Sequence, residues 1–573
     1  MKRRLLARMK SPAGRIAYAL ALAGLAGLIA LPAIGLESRD NRPAPFLSQV
    51  SQSVAFHRYL HDPSLAPAGL RGEIAGLRQR LGARPGSISS PAVTTGPSGD
   101  RFNKDVTGLP QNEESVSVCQ PKPSLVISGT NDYRGLLDPD GNFTGWYWST
   151  NGGGSVAKEG LLPTVTVGSP GNNVERPSGG DPSFATQPSG GTCDIYAASI
   201  NYDPTGALNS NGVGVYKTTP STLNSASCSP NQSNILGGSL SDASCWPTRR
   251  YAAFTGSSTQ FLDKEWIDVG NTGDGVHVWV VWSLYSGVDV SGGFTSAKIQ
   301  AARCTANLSS CDSPVDISTV DNDVSFADVT IGADHKTYIT WAAINGELVP
   351  GPQTFTIKSV VIPASSETPG AEHTVFHETK AIPFTGFLQG NDFRVATYPK
   401  STVKTVNGSQ RFYVVWDACQ ARLLDDQGGG ICENPLIKFR FSNNGGATWS
   451  PVKVLSTGGD NYFPWIDADP LGPNLAVAYY TSRHDPFRSD QDVELVTLSK
   501  GGTILKRQRV TSRSNEPGAD PLIGEFFIGD YFQVAARAGT AYVAYNANYT
   551  AMKLLGAGIP VNQQDNFLHK KGM

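Results

Sequence analysis

Alternating hydrophobic and polar positions dominate the chain from about Asn112 onward. Runs in which valine, isoleucine, tyrosine or tryptophan occupy every second position are typical of β-strands. Such a run, entered through a polar or glycine-containing turn, returns seven times. The seven starts are 112–118, 180–185, 263–269, 324–331, 393–397, 463–469 and 529–535. This pattern predicts an all-β array of structural repeats.

Each start is followed by a second strand-like run, for example 276–282 after 263–269 and 474–480 after 463–469. A small sheet of this kind cannot bury both of its faces alone, so the copies must pack around a common axis. Seven starts favour a seven-bladed β-propeller. A six-bladed ring with one split blade is the alternative interpretation.

The N-terminal residues follow a different pattern. Six lysines and arginines lie within residues 1–15, and an uncharged run follows over residues 16–36. A basic start before an apolar segment is typical of an export signal. The run is also long enough to span a bilayer, so residues 1–36 are either a signal peptide or an N-terminal membrane anchor. Both interpretations predict a secreted, periplasmic or cell-surface protein.

Residues 37–105 form a second region. Leu70, Ile74, Leu77 and Leu81 have helical spacing, and residues 85–99 are rich in proline, glycine, serine and threonine. We interpret this region as a helical stalk or pro-segment followed by a linker, with a helix packed on the main domain as the other interpretation. Residues 106–573 are then the propeller domain.

Composition excludes some partners. The chain has 573 residues, 17% of them charged, and a formal net charge of −2. A nucleic-acid-binding surface requires clustered basic residues, which this balance does not indicate. We therefore expect no nucleic-acid partner, and membrane contact only through the N-terminal segment.

The eight cysteines all lie in the predicted exported region, which favours disulfides. Three pairs are close in sequence, and their pairing would leave Cys119 with Cys193, although other connectivities stay open. The close pairs are Cys304 with Cys311, Cys419 with Cys432, and Cys228 with Cys245. Since no C-x-x-C pair or Cys/His cluster is present, we expect no metal and no cofactor.

Residues 442–449 contain a recognisable turn motif. Ser442, Asn444, Gly446, Thr448 and Trp449 fit the pattern S-x-D-x-G-x-T-W, with asparagine in place of aspartate. Short polar side chains in such a turn bind its backbone, and the glycine permits a positive φ. Residues 149–155 are a second, degenerate copy that lacks the tryptophan.

On these motifs the chain, from about residue 102 to 549, resembles the sialidase-like superfamily of exported Asp-box (BNR) repeat propellers. The resemblance implies a glycoside hydrolase, such as an exo-α-sialidase. Family members grip a sialic-acid carboxylate with three arginines and use a Tyr–Glu nucleophile pair with an aspartate acid/base. The Phe/Tyr-Arg-Ile-Pro motif that carries the family's first arginine is absent here, which places sialidase activity in question.

The residues that could supply this chemistry lie near the strand starts. The catalytic candidates are Asp132, Glu113, Glu525 and Tyr531, the last preceded by Asp530. The substrate-binding candidates are Arg134, Arg394, Arg483, Trp266 and Trp465. Two near-copies, Asn-Asp-Tyr-Arg at 131–134 and Asn-Asp-Phe-Arg at 391–394, could place Asp and Arg at the axis. Structural ion pairs between blades, and tryptophans buried between blades, are the competing interpretations.

Two functions remain open at this stage. The first is an exported enzyme that acts on glycans as a glycoside hydrolase. A lyase or other sugar-processing propeller is a minor alternative. The second is a non-catalytic propeller that binds carbohydrate or protein at the cell surface. The missing arginine motif and the N-terminal segment favour the second, and the repeats with their paired Asp and Arg residues favour the first.

Overall fold

The computed structural model describes most of the chain from residue 101 onward. Within 101–573 the exceptions are 168–173, 204–209, 231–238, 289–293, 320–323, 346–353, 383–386, 392, 425–429, 521, 524–526 and 557. Upstream it describes 59–60, 62–65, 71–72, 74–76, 78–79 and 93–94. These residues form seven antiparallel sheets around one axis, which confirms the predicted seven-bladed β-propeller.

The first four blades each contain four strands in chain order. Blade 1 consists of Gln111–Val118, Val126–Asp132, Thr144–Ser149 and Lys158–Leu161. Blade 2 consists of Ser183–Ser189, Thr192–Asn201, Asn211–Thr218 and Thr248–Thr255. Blade 3 consists of Gln260–Asn271, Val276–Ser286, Ser296–Thr305 and Val315–Asp316. Blade 4 consists of Val324–Ile331, Thr337–Asn345, Thr354–Ile362 and His373–Glu378.

Blades 5 and 6 follow the same order, whereas blade 7 takes its fourth strand from the N-terminal region. Blade 5 consists of Lys400–Val406, Ser409–Ala418, Leu436–Ser442 and Lys453–Val454. Blade 6 consists of Asn461–Ala468, Asn474–Thr481, Asp492–Ser499 and Ile504–Arg509. Blade 7 has three long strands, Gln533–Arg537, Thr540–Met552 and Val561–Gly572. The short strand Val93–Thr94 pairs with the end of its second strand.

Smaller elements connect the blades. Two short sheets are formed by Val165–Val167 with Val174–Arg176, and by Phe387–Leu388, Gly430–Glu433 and Ala421–Leu424. One α-helical turn spans Pro220–Asn224. The 3-10 turns are Pro63–Leu65, Tyr133–Leu137, Pro517–Ala519 and Leu554–Gly556.

The fifth blade starts later than the sequence pattern predicts. Residues 393–397 are buried but not a strand, and the first strand begins at Lys400. The backbone of Thr397 bonds instead to Ile382, with its N–H donating to the Ile382 carbonyl at 3.0 Å. Pro399 lacks an N–H for a sheet ladder, so the strand can begin only after it.

The first strand of every blade contacts the first strands of the two neighbouring blades, so these strands line the axis. At each of the seven junctions, a side chain of one blade accepts a hydrogen bond from a backbone N–H of the next blade's first strand. The acceptor and donor pairs are Ser115 and Phe184, Ser183 and Ile267, Asp268 and Ile331, Asp328 and Ser401, Asp417 and Phe463, Asp467 and Ala536, and Gln533 and Val116. These bonds satisfy inner-strand donors that have no partner within their own sheet.

Blade 7 is completed by residues from the other end of the chain. The Phe102 N–H donates to the Asn566 carbonyl at 2.7 Å, and Arg101 forms a bridge with Phe567. Asn103 donates from Nδ2 to Asp565 Oδ1 at 2.9 Å. The ring is therefore closed by pairing of the N-terminal segment with the last strand.

The four disulfides form as the cysteine spacing predicts, which confirms that pairing: Cys119–Cys193, Cys228–Cys245, Cys304–Cys311 and Cys419–Cys432. Cys119–Cys193 joins the end of the first strand of blade 1 to the second strand of blade 2. Such a set is typical of proteins that fold in an oxidising compartment, in agreement with predicted export.

The turn at 442–449 lies between the third and fourth strands of blade 5. Ser442 Oγ accepts from the Gly446 N–H at 2.9 Å, and Asn444 Oδ1 accepts from the Thr448 N–H at 2.9 Å. Residues 149–155 repeat both bonds at the same turn of blade 1, from Gly153 to Ser149 and from Ser155 to Asn151. The motif thus closes outer hairpins, away from the axis.

Part of the N-terminal region packs on the propeller. The described positions within 71–79 are helical, and Ile74 is buried in a cluster that includes Tyr133 and Ile523. The apolar run 16–36 lies outside the described residues. Among the described residues, no helix has both the length and the apolar character needed to span a bilayer.

Candidate active site on the propeller axis

The start of several first strands contains a β-bulge that turns one side chain toward the axis. The strand register shifts after Asn112 in blade 1 and after Asp263 in blade 3. Inside these bulges Glu113 and Lys264 adopt positive φ values of 60° and 59°. Bulges redirect side chains and add local twist, and they are common next to functional sites.

Blades 2 and 7 bring two aspartates close to Glu113 and Lys264 on the axis. Asp181 precedes the first strand of blade 2 with φ 53°, and Asp530 follows Gly529, whose φ is 94°. A Cβ on Gly529 would lie 2.8 Å from the Glu113 nitrogen, so only glycine allows blade 7 to approach blade 1 this closely.

We call Glu113, Asp181, Lys264, Arg394 and Asp530 the axial charge cluster. Lys264 Nζ contacts a carboxylate oxygen of Asp530 and lies 3.4 Å from Asp181 Oδ2. Arg394, in the segment before blade 5, forms a two-pronged contact with Asp530, its Nε donating to Oδ1 at 2.9 Å. Four blades and one connecting segment thus converge on one point.

Glu113 is held by donors from two blades. Asn131 Nδ2 donates to its Oε2 at 2.9 Å, and the Asp530 N–H donates to its Oε1 at 3.1 Å. Burial, and then the charge of Asp181, raise the pKa of Glu113 well above its ordinary value. Burial alone would raise the pKa of Asp530 as well, but Arg394 and Lys264 lower it below its ordinary value.

Two carboxyl groups with pKa values pushed in opposite directions can act as a proton donor and an ionised partner. The cluster is deeply buried, since Glu113, Asp530 and Lys264 expose 0%, 2% and 5% of their surface. A substrate can therefore reach the cluster only if the residues that cover it move.

Aromatic rings and a second lysine lie beside the cluster. Lys400 Nζ sits 4.3 Å from the centre of the Trp266 ring and 4.1 Å from that of Trp465. Tyr531 packs edge-on against Trp266 at 5.4 Å, and its hydroxyl donates to the Pro182 carbonyl. Burial lowers the pKa of Lys400 to about 8, although Asp328 acts in the opposite direction. The tryptophan faces are occupied by a lysine and are not open platforms.

The axis continues into a cavity of about 310 Å³ whose lining includes Trp266, Trp465, Asp268, Asp467 and Arg537. Its aspartates already accept bonds from neighbouring blades, the Asp268 bond to the Ile331 N–H being 2.7 Å long. These aspartates are therefore already engaged in contacts between blades.

The structure brings together five of the residues predicted from sequence: Glu113, Tyr531, Arg394, Trp266 and Trp465. It places Asp132, Arg134 and Arg483 elsewhere. Asp132 and Arg134 pair with each other inside blade 1, where Arg134 also contacts Glu159 and Asp132 accepts from Tyr147.

Arg483, at the end of the second strand of blade 6, pairs with Glu494 in the third strand of the same blade at 2.9 Å. Glu525 and Asp392 lie outside the described residues. Asp181 and Lys400 were not singled out by the sequence, although an alignment of the seven blade starts would have placed Asp181 beside Glu113 and Lys264. The sequence pattern does not point to Lys400, because the predicted fifth start, 393–397, lies before it.

No protein-family model matches the chain, and no curated protein matches it. Solved structures with some similarity include the α-L-arabinofuranosidase Arb93A of Fusarium graminearum, with 11% identity, a TM-score of 0.41, and coverage of 71% of this chain and 99% of that one. The α-L-arabinanase of Penicillium chrysogenum has 10% identity, a TM-score of 0.35, and coverage of 84% and 99%.

The endosialidase of phage phi92 has 8% identity, a TM-score of 0.38, and coverage of 83% of this chain and 68% of that one. Similarity at this level does not assign a family. The sheets and the axis themselves define the class: a seven-bladed β-propeller with a buried charge cluster at the start of its inner strands.

Proposed function

We propose that this propeller is an exported glycoside hydrolase whose reaction takes place at the axial charge cluster. The observation that carries the proposal is the convergence of two carboxyl groups, Glu113 and Asp530, with two cations, Lys264 and Arg394. Glycoside hydrolysis requires a pair of carboxyl groups on either side of the scissile bond. Glycan is the ligand class, and no cofactor enters the proposal.

The contacts support different roles for the two carboxyl groups. Asp530 is fixed by Arg394 and Lys264, which suits a carboxylate that stabilises positive charge at the anomeric carbon. Among the described residues no lysine or arginine forms an ion pair with Glu113, which accepts from an amide and a backbone N–H; this suits a group that protonates the leaving oxygen. Water then supplies the hydroxyl group of the product.

The arginine positions bear on the substrate. Of Arg134, Arg394 and Arg483, only Arg394 lies at the axis, and Asp530 occupies its guanidinium. A sialic-acid carboxylate would have to compete with Asp530 for that group. The proposed substrates are therefore neutral glycosides, with sialosides as the disfavoured class.

Hydrolysis of a panel of fluorogenic neutral glycosides and a sialoside by the purified protein tests the proposal. Glu113→Gln and Asp530→Asn should each lower turnover by about 10²–10⁴-fold. Arg483→Met is the matched control for Arg394→Met, because Arg483 is ion-paired outside the axis. Absence of turnover on every substrate by the folded wild-type protein would refute the proposal.

A second candidate function is a non-catalytic propeller that binds glycan or protein at the cell surface. The near-complete burial of the cluster favours it, because ion pairs closed off from solvent can simply hold blades together. Binding on a glycan array without hydrolysis, unchanged in Glu113→Gln, would support this candidate. Loss of that binding in Glu113→Gln would place the ligand at the axis after all.

A further inference from the structure

Asp181 of the axial charge cluster lies beside two further buried carboxylates at the junction of blades 2 and 3. Asp181 precedes the first strand of blade 2, and the other two carboxylates belong to Asp263 and Glu265, which flank Lys264 in the bulge of blade 3. One oxygen from each of the three lies within 4.8 Å of the others. Their exposures are 1%, 0% and 2%, so solvent does not separate their charges.

The oxygens of two of these carboxylates accept no hydrogen bond of normal geometry from any described residue. These are both oxygens of Asp181 and both oxygens of Glu265, and all four are buried. The nearest cation, Lys264, lies 3.4 Å from Asp181 and makes a closer contact with Asp530. A buried carboxylate without donors is costly, and its oxygens are available to a ligand that is not part of the chain.

The charge balance of the region points in the same direction. The residues involved carry five carboxyl groups and two cations: Glu113, Asp181, Asp263, Glu265 and Asp530, against Lys264 and Arg394. Arg394 and Lys264 both contact Asp530, and Lys264 is shared with Asp181, from which its Nζ lies 3.4 Å. The three carboxyl groups of Asp181, Asp263 and Glu265 therefore share one lysine, which is also bound to Asp530.

We propose that Asp181, Asp263 and Glu265 bind a calcium ion that joins blade 2 to blade 3. Calcium takes six to eight oxygen ligands at about 2.3–2.6 Å, so two ligands on opposite sides of the ion are about 4.8 Å apart. Since no two of the three carboxylate oxygens are more than 4.8 Å apart, all three can reach one calcium ion. Magnesium, with ligands at about 2.0–2.1 Å, requires a tighter and more regular set.

The ion would also have a positioning effect. Lys264 lies between two of the ligands in sequence and has a left-handed backbone with φ 59°. Fixing Asp263 and Glu265 fixes this bulge, and with it the lysine that contacts Asp530. The site shares Asp181 with the axial charge cluster, but it includes neither Glu113 nor Asp530, the proposed hydrolytic pair.

Calcium titration by calorimetry of chelator-treated, full-length protein tests the site directly. We expect one calcium per chain, a rise in melting temperature on adding calcium, and a smaller rise with magnesium. Asp263→Asn and Glu265→Gln should each weaken calcium binding by on the order of tenfold or more, since site charge sets the affinity.

Glu114→Gln is the matched control. Glu114 occupies the same bulge position in blade 1 that Glu265 occupies in blade 3, and its buried oxygens also have no partner among the described residues. Among the described residues, however, it belongs to no group of three possible ligands. Calcium binding should be unchanged in this variant.

Two results would overturn the proposal: no calcium binding by the folded wild-type protein at millimolar calcium, or equal affinity in the wild type, Asp263→Asn and Glu265→Gln. If a variant does not fold, the wild type still decides, because chelation must lower its melting temperature and calcium must restore it. Calcium binding without glycoside turnover would reject the hydrolase alone, and turnover unaffected by chelation would reject a catalytic need for the ion.

Discussion

Removal of the Cys119–Cys193 disulfide should destabilise the propeller more than removal of any other disulfide. Its cysteines are 74 residues apart in sequence, whereas those of Cys304–Cys311 are 7 apart. In the chain-entropy model the loss of the cross-link costs about 4.5 kcal/mol for the longer loop and about 2.5 kcal/mol for the shorter one. The expected difference in the free energy of unfolding is therefore about 2 kcal/mol.

Double alanine variants keep the test clean, because a serine would place a new hydroxyl group in a buried site. Guanidinium denaturation followed by tryptophan fluorescence measures the midpoint and slope of each variant. Cys419–Cys432, with a separation of 13, should fall between the two at about 3 kcal/mol. Equal losses in all three variants, or a larger loss for the Cys304–Cys311 variant, would refute the reasoning.

Three further changes have defined outcomes. Phe102→Ala removes a buried ring from the closing segment and should lower the free energy of unfolding by about 3–5 kcal/mol in guanidinium denaturation, whereas a loss below about 1 kcal/mol would contradict its role in closure. Burial raises the pKa of Asp417 to about 8. The folded chain therefore keeps a proton that the unfolded chain releases, and stability should fall as pH rises from about 4 to 8. Asp417→Asn should flatten that part of the melting-temperature profile, and a profile parallel to the wild type would contradict the assignment. Ser442→Ala should cost about 1 kcal/mol in thermal unfolding, since two turn N–H groups lose their acceptor, while an unchanged melting temperature would show that the turn is held otherwise.

The propeller could be predicted because the sequence pattern that produces it is repeated in each blade. Alternating apolar positions recur at every blade, so one ambiguous copy does not obscure the rest. The start at 393–397 was wrong for a local reason: the segment is as apolar as a strand, but Thr397 bonds to Ile382 and Pro399 delays the ladder. The spacing of apolar residues indicates which positions are buried. At 393–397 the residues are buried, but they do not pair with a neighbouring strand.

The site was harder to predict because it depends on contacts between distant residues. The sequences at 131–134 and 391–394 are near-copies, yet Arg134 pairs with Asp132 two residues before it. Arg394 pairs with Asp530, which is 136 residues away. The bulge that turns Glu113 and Lys264 inward is equally invisible, because a positive φ at Glu or Lys has no sequence signature.

Because Phe102 pairs with Asn566, the ring can close only after the chain has been synthesised as far as Asn566. The two residues are 464 positions apart, and Asn566 belongs to the last described strand, Val561–Gly572. At about 5–20 residues per second, synthesis leaves the Phe102 segment waiting roughly 20–90 s for its partner. During that interval six blades can form, but the ring stays open with an unpaired strand edge. A chain interrupted just before its last strand would keep that edge exposed and would be prone to aggregation, even though most of its blades are complete.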